Sequence, residues 1–120
     1  MFHFSPTFKF DAERDEYVAE LNGVAFVCDK PQENYKKEAK KLSKLYFEKL
    51  PEMIEFMLPE LQEIYGEIDK EKLPQLLGKP TVNLSTFQIM FPEQRLDDIH
   101  IIEFEYGDDF EEFFYFNIDG

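Results

Sequence analysis

Thiols, glycines and basic side chains are scarce in this 120-residue chain: one cysteine, five glycines, and 13 Lys plus Arg against 26 Asp plus Glu. The lone Cys28 excludes an intramolecular disulfide and any zinc site built from several thiolates, which suits a reducing compartment. The glycines stand apart, at Gly23, Gly66, Gly78, Gly107 and Gly120, so the sequence has no glycine-rich loop to cradle a phosphate. A net charge of −13 disfavours nucleic acid and anionic membrane surfaces as partners, because both carry the same sign. No apolar run approaches the roughly 20 residues of a membrane span. The start, Met1-Phe2-His3-Phe4-Ser5-Pro6, has neither the basic stretch nor the apolar block of a signal peptide, so a cytoplasmic protein is expected.

Core-forming residues are plentiful. With 43% hydrophobic and 17% aromatic residues, the chain has enough to bury roughly two thirds of its unfolded surface as a single acidic domain over 1–120. Phe2, Phe4, Phe8 and Phe10 share one parity, the period of a strand with one buried face, and Pro6 assigns that strand to a sheet edge or a bulge. Asn22-Gly23 between Tyr17–Leu21 and Val24–Cys28 predicts a two-residue hairpin, with Leu21 opposite Val24, Ala19 opposite Phe26 and Tyr17 opposite Cys28.

Asp29 is placed to cap a long helix whose apolar stripe runs Tyr35, Ala39, Leu42, Tyr46, Leu50, Met53, Met57, Leu61, Ile64. Pro51 and Pro59 predict a break or kink in it. Gly66 ends it, and a short helix bearing Leu73, Leu76 and Leu77 follows, ended by Gly78 and Pro80. The β pattern returns from Thr81 to Phe91, with a parity shift at Ser85-Thr86 read as a bulge, and then in a hairpin over Ile99–Tyr106 and Phe110–Ile118. The expected fold is α+β: a mostly antiparallel sheet of about five or six strands with a long broken helix on one face, in the order βββααβββ.

Charge concentrates at the end, where residues 81–120 hold 10 acids and one base. In the last hairpin, Ile102, Phe104, Tyr106, Phe110, Phe114, Phe116 and Ile118 are assigned to the core by parity. Glu103, Glu105, Glu111, Phe113 and Tyr115 fall on the other face, an acidic and aromatic surface suited to a protein partner. A face solvated by its acids and covered by a loop is the plainer alternative. The lysines of the long helix, Lys36, Lys37, Lys40, Lys41 and Lys44, are interleaved with Glu33, Glu38 and Glu48 and read as a solvated face.

Catalytic signals are sparse. Tyr106-Gly107-Asp108-Asp109 resembles the metal-binding hairpin of template-directed polymerases, but the chain is too short and too acidic for a nucleic-acid cleft, and Gly-Asp-Asp is an ordinary turn sequence. Asp97, Asp98 and His100 offer oxygen and nitrogen ligands, and with Asp108 and Asp109 they define the alternative function, a metal-dependent enzyme or sensor. Asp98 and His100 share a strand face in that reading, and Asp97 points away. No calcium loop or nucleophile elbow is present, and Cys28 is assigned to the core. No cofactor is called for.

The Leu21-Asn22-Gly23 turn, the Pro31-Gln32 lead into a Lys/Glu-rich helix, and the hairpin Ile102 to Phe110 are together similar to small uncharacterised bacterial domain families, some of which resemble immunity proteins of polymorphic toxin systems. The similarity lies in element order across most of the chain. It implies a cytosolic protein that binds another protein and blocks it, and it transfers no site residue. The leading expectation is thus a protein-binding, immunity- or inhibitor-like domain facing a basic toxin- or nuclease-like partner. A homo-oligomeric structural unit is the third alternative, opposed by the crowded Glu103, Glu105 and Glu111.

Overall fold

The computed structural model describes residues 7–119. Phe2, His3, Phe4 and Pro6, part of the first predicted strand, lie outside them. The strands are β1 (Lys9–Asp11), β2 (Glu16–Leu21), β3 (Val24–Cys28), β4 (Thr81–Asn83), β5 (Gln88–Phe91), β6 (Ile101–Gly107) and β7 (Glu112–Asp119). Among the described residues they form one sheet in chain order, β1 to β7, with β1 at one edge. Every pairing is antiparallel except β3 with β4. Between those two run α1 (Tyr35–Tyr65) and α2 (Leu73–Leu77), the crossover that a parallel pair requires.

The β2–β3 hairpin has the predicted register, Leu21↔Val24, Ala19↔Phe26 and Tyr17↔Cys28. Asn22 (φ 53°) and Gly23 (φ 79°) both take the left-handed conformation that this tight turn demands. The Asn22 amide donates to Ser43 Oγ at 3.0 Å, and Ser43 in turn donates to Lys40 O at 2.9 Å, which ties the turn to α1.

The strand count corrects the sequence reading. The parity shift at Ser85-Thr86 is a hairpin turn rather than a bulge: Asn83 Oδ1 accepts the N–H groups of Ser85 and Thr86 at 2.9 and 3.1 Å, and β5 returns against β4. A side chain that satisfies the turn's backbone lets the chain reverse without a two-glycine signature.

Of the break or kink predicted at the prolines, the break does not occur: α1 runs as one helix for 31 residues through Pro51 and Pro59. Both prolines and the two residues whose carbonyls lose an N–H partner, Phe47 and Glu55, are exposed, on the side of the helix turned away from the core. Asp29 is no cap: the helix begins six residues later after Asn34, and the Asp29 N–H donates to Ser85 Oγ at 3.0 Å. Gly66 and Gly78 end α1 and α2 as predicted.

The core lies between α1 and one sheet face. Ala39, Leu42, Tyr46, Met53, Met57 and Leu61 of the stripe are buried, whereas Ile64 is exposed. They pack over Phe26, Val82, Ile89, Phe91, Ile102 and Phe104, and α2 adds Leu73 and Leu77. The opposite face carries Val18, Ala25, Val27, Met90, Glu103 and Glu105, and a groove of 350 Å³ reaches across it from Arg14 and Glu16 to Met90 and Ile101.

Candidate functional site

The β6–β7 hairpin sets the candidate binding face through one irregularity. Tyr106 pairs with Phe113 and Glu105 with Phe114, but Glu103 pairs with Asn117, so two β7 residues, Tyr115 and Phe116, stand opposite Phe104 alone. Tyr115 takes φ 56°, the left-handed conformation that absorbs the extra residue. Parity along β7 therefore inverts at Tyr115. Before it, Phe113 faces the helix, its ring 5.8 Å from that of Phe56 and 5.5 Å from that of Phe104. After it, Phe116 and Ile118 pack against the core.

This inversion corrects the predicted face. Phe113 belongs to the core side and Phe114 to the uncovered side, where it is 39% exposed beside Tyr115 at 77%. Glu103 and Glu105 lie on the uncovered face as expected, and Asn117 Nδ2 donates to Glu103 Oε1 at 3.2 Å. Glu111 does not join them. It sits in the turn, with a carboxylate oxygen 3.8 Å from Lys49 Nζ of α1. The observed constellation is Glu103, Glu105, Phe114 and Tyr115. Phe114 was missed because four consecutive aromatics, Phe113 to Phe116, carry no parity of their own. The signal available was turn length: residues 108–111 read as a four-residue loop set Tyr106 opposite Phe113.

The second predicted group resolves into a polar network. The segment before β6 is a loop, and the carboxylate that meets His100 is Asp97, with His100 Nδ1 2.6 Å from Asp97 Oδ2. Tyr65 at the end of α1 donates its hydroxyl to the same oxygen, while Asp97 Oδ1 accepts from Gln94 Nε2 at 2.9 Å and from the His100 N–H at 3.0 Å. The hydroxyl of Tyr65 above all, with His100 and Gln94, holds the Asp97 carboxyl well below the usual range. Buried Gln94 also donates to His100 O at 2.8 Å and accepts the Leu96 N–H at 2.7 Å. Each Asp97 oxygen is occupied by a donor, which is the arrangement of a loop clasp. Asp98 is exposed outside it, contrary to the shared strand face predicted for Asp98 and His100.

Asp108 and Asp109 lie at the other end of the molecule. Asp109 Oδ1 contacts Lys41 Nζ at 2.9 Å near the start of α1, whereas Asp97 contacts Tyr65 at its end. Those helix positions are 24 residues apart, about 36 Å at 1.5 Å per residue, so the two acidic groups cannot share one ion. No group of three or more potential metal ligands occurs among the described residues. Cys28 is fully buried, and burial first, then the Asp29 and Glu16 carboxylates, push its thiol pKa up, the opposite of what a nucleophile needs. No described helix is long and apolar enough to cross a membrane.

Asp108, Asp109 and Phe110 form a short 3-10 turn, all three at positive φ, which drives the Phe110 ring into the core against Tyr106, with ring centroids 4.8 Å apart. That turn, the start of α1 and the β4–β5 turn enclose a pocket of 240 Å³. Comparison with protein-family models, curated proteins and solved structures finds no match to this chain.

Proposed function

We propose that this chain is a cytoplasmic protein-binding domain, immunity- or inhibitor-like, that engages a basic protein through the uncovered face of the β6–β7 hairpin. One observation carries the reading: Tyr115 is held by a bulge at 77% exposure, next to Phe114, on a face whose other large side chains include Glu103 and Glu105. Bulky residues rarely adopt positive φ, and a side chain presented to water at that conformational cost gains nothing for the fold. Carboxylates around two aromatics supply both parts of recognition. The charge accelerates encounter with a cationic protein, and the rings give short-range contacts that survive desolvation.

One further observation supports this: residues 81–120, which include the hairpin, hold 10 acids and one base, so negative charge is concentrated in this part of the chain. The test is affinity capture from the native cytosol at low and high salt, using wild type and the Phe114→Ala/Tyr115→Ala double variant. A stoichiometric basic protein that wild type retains at low salt, and that salt or the double variant releases, is the expected result. Equal retention by the double variant overturns the reading.

A further inference from the structure

The pocket between the start of α1 and the two turns lies on the helix side of the sheet, away from the Tyr115 face, so its chemistry does not depend on that face. Its wall combines carboxylates of Glu38, Asp108 and Asp109 with the rings of Tyr35, Phe87 and Tyr106. Phe87, at φ 57°, is exposed and stands edge-on to Tyr106 with centroids 5.9 Å apart. Tyr106 is only 7% exposed, yet its hydroxyl donates to no described residue. That hydroxyl is not sealed in, since no buried side-chain polar atom lacks a partner among the described residues, and the pocket is where Tyr106 meets solvent. Burial chiefly, and then the nearby Glu38, Tyr35 and Asp109 groups, raise its pKa.

A cation already sits at this rim. Lys41 Nζ bridges Glu38 Oε1 at 3.0 Å and Asp109 Oδ1 at 2.9 Å, using a side chain that is itself well exposed. The carboxylate pair is therefore spaced to hold a positively charged nitrogen, and an aromatic wall next to it offers a flat partner. A guanidinium matches both requirements, because it forks two N–H bonds to carboxylates and stacks its plane on a ring, whereas an ammonium is a strongly hydrated point charge. The cavity, at 240 Å³, has room for one such side chain.

We infer that this pocket receives an arginine side chain presented by a protein partner, gripped between the Glu38–Asp109 carboxylates and the Phe87 and Tyr106 rings. A protein-borne arginine is favoured over the free amino acid because the latter brings a carboxylate into a ring of acids. Lys41 competes for the same oxygens, so its removal strengthens binding.

The experiment is an NMR titration of the whole chain with N-acetyl-argininamide, following the Phe87 and Tyr106 ring signals. Saturable shifts with a dissociation constant on the order of millimolar are expected for a single side chain. Asp109→Asn should weaken binding about tenfold and Tyr106→Phe a few-fold, while Lys41→Met should tighten it several-fold. Tyr106→Phe keeps the ring and the packing, so its loss reports the hydroxyl and not the fold. The absence of saturable shifts, or equal shifts with the uncharged citrulline analogue, overturns the site. Equal binding of N-acetyl-lysinamide overturns the guanidinium assignment, and tighter binding of free arginine overturns the protein-borne one.

Discussion

Tyr65, the last residue of α1, donates its hydroxyl to the Asp97 carboxylate, and through that bond the end of the helix is fastened to the loop that leads into β6. Because the folded pKa of Asp97 lies below its unfolded one, the bond contributes stability at neutral pH that fades as pH falls below about 4, towards the folded pKa. Asp97→Asn is therefore expected to melt lower than wild type at pH 7, with the gap narrowing in acid, as thermal unfolding followed across pH 2–7 will show. Burial first, and the bond to Asp97 second, push the Tyr65 pKa up to about 12. Ultraviolet titration of Asp97→Asn should find that phenol ionising earlier, though still above the unperturbed value of about 10.

Tyr115 pairs a costly backbone conformation with a solvent-exposed ring. Glycine removes the first and loses little packing with the second. Tyr115→Gly is expected to leave stability unchanged or raise it by up to about 1 kcal/mol in chemical denaturation. Loss of partner retention in the same variant identifies the ring as kept for recognition. A destabilisation of about 2 kcal/mol or more instead assigns Tyr115 a structural task and removes the argument from exposure.

Phe113 and Phe114 are neighbours with opposite fates. Half-buried Phe113 packs on Phe56 and Phe104, so Phe113→Ala is expected to cost about 2 kcal/mol, below the range of fully buried phenylalanine truncations. Phe114→Ala, on the uncovered face, is expected to cost less than about 1 kcal/mol. Equilibrium unfolding in urea separates the two, and the reverse order restores the parity predicted from sequence alone.

What was legible in the sequence follows the strength of local physics. Asn22-Gly23 fixed both turn type and register because positive φ at two successive residues admits few alternatives. The apolar stripe of α1 was legible for the same reason, since one face of a helix must be buried, and burial of that stripe carries the helix through both prolines without the predicted break. The β4–β5 turn was missed because its signal is a single Asn83 side chain in a segment whose parity imitates a bulge. The binding face was half legible. Glu103 and Glu105 alternate cleanly with Ile102, Phe104 and Tyr106, but Phe113 to Phe116 are all aromatic, and only the pairing across the hairpin assigns each to a side. Within the clasp, Asp97 and His100 stand three residues apart and were grouped from sequence, whereas Tyr65 and the residues of the pocket around Tyr106 come from distant parts of the chain that no local spacing joins.

Asn22 serves the fold twice, and the two contributions are separable. Its backbone occupies the left-handed region, which Asn tolerates and Ala does not, and its amide reaches Ser43 on α1. Asn22→Gly keeps the turn and loses the amide, so a cost of about 0.5–1.5 kcal/mol measures the bond to the helix. Asn22→Ala loses both and is expected to cost roughly 1 kcal/mol more, the backbone share. Ser43 itself is fully buried but still donates to Lys40 O when Asn22 is gone, so neither variant strands a polar group in the core. Asn22 is exposed, so in Ser43→Ala its freed amide turns to water, and the cost is the bond to Asn22 together with the one Ser43 donates to Lys40 O. If turn and helix are coupled through this contact, Asn22→Gly/Ser43→Ala will be no worse than Ser43→Ala alone. Full additivity in urea denaturation would mean that the two residues stabilise the fold separately.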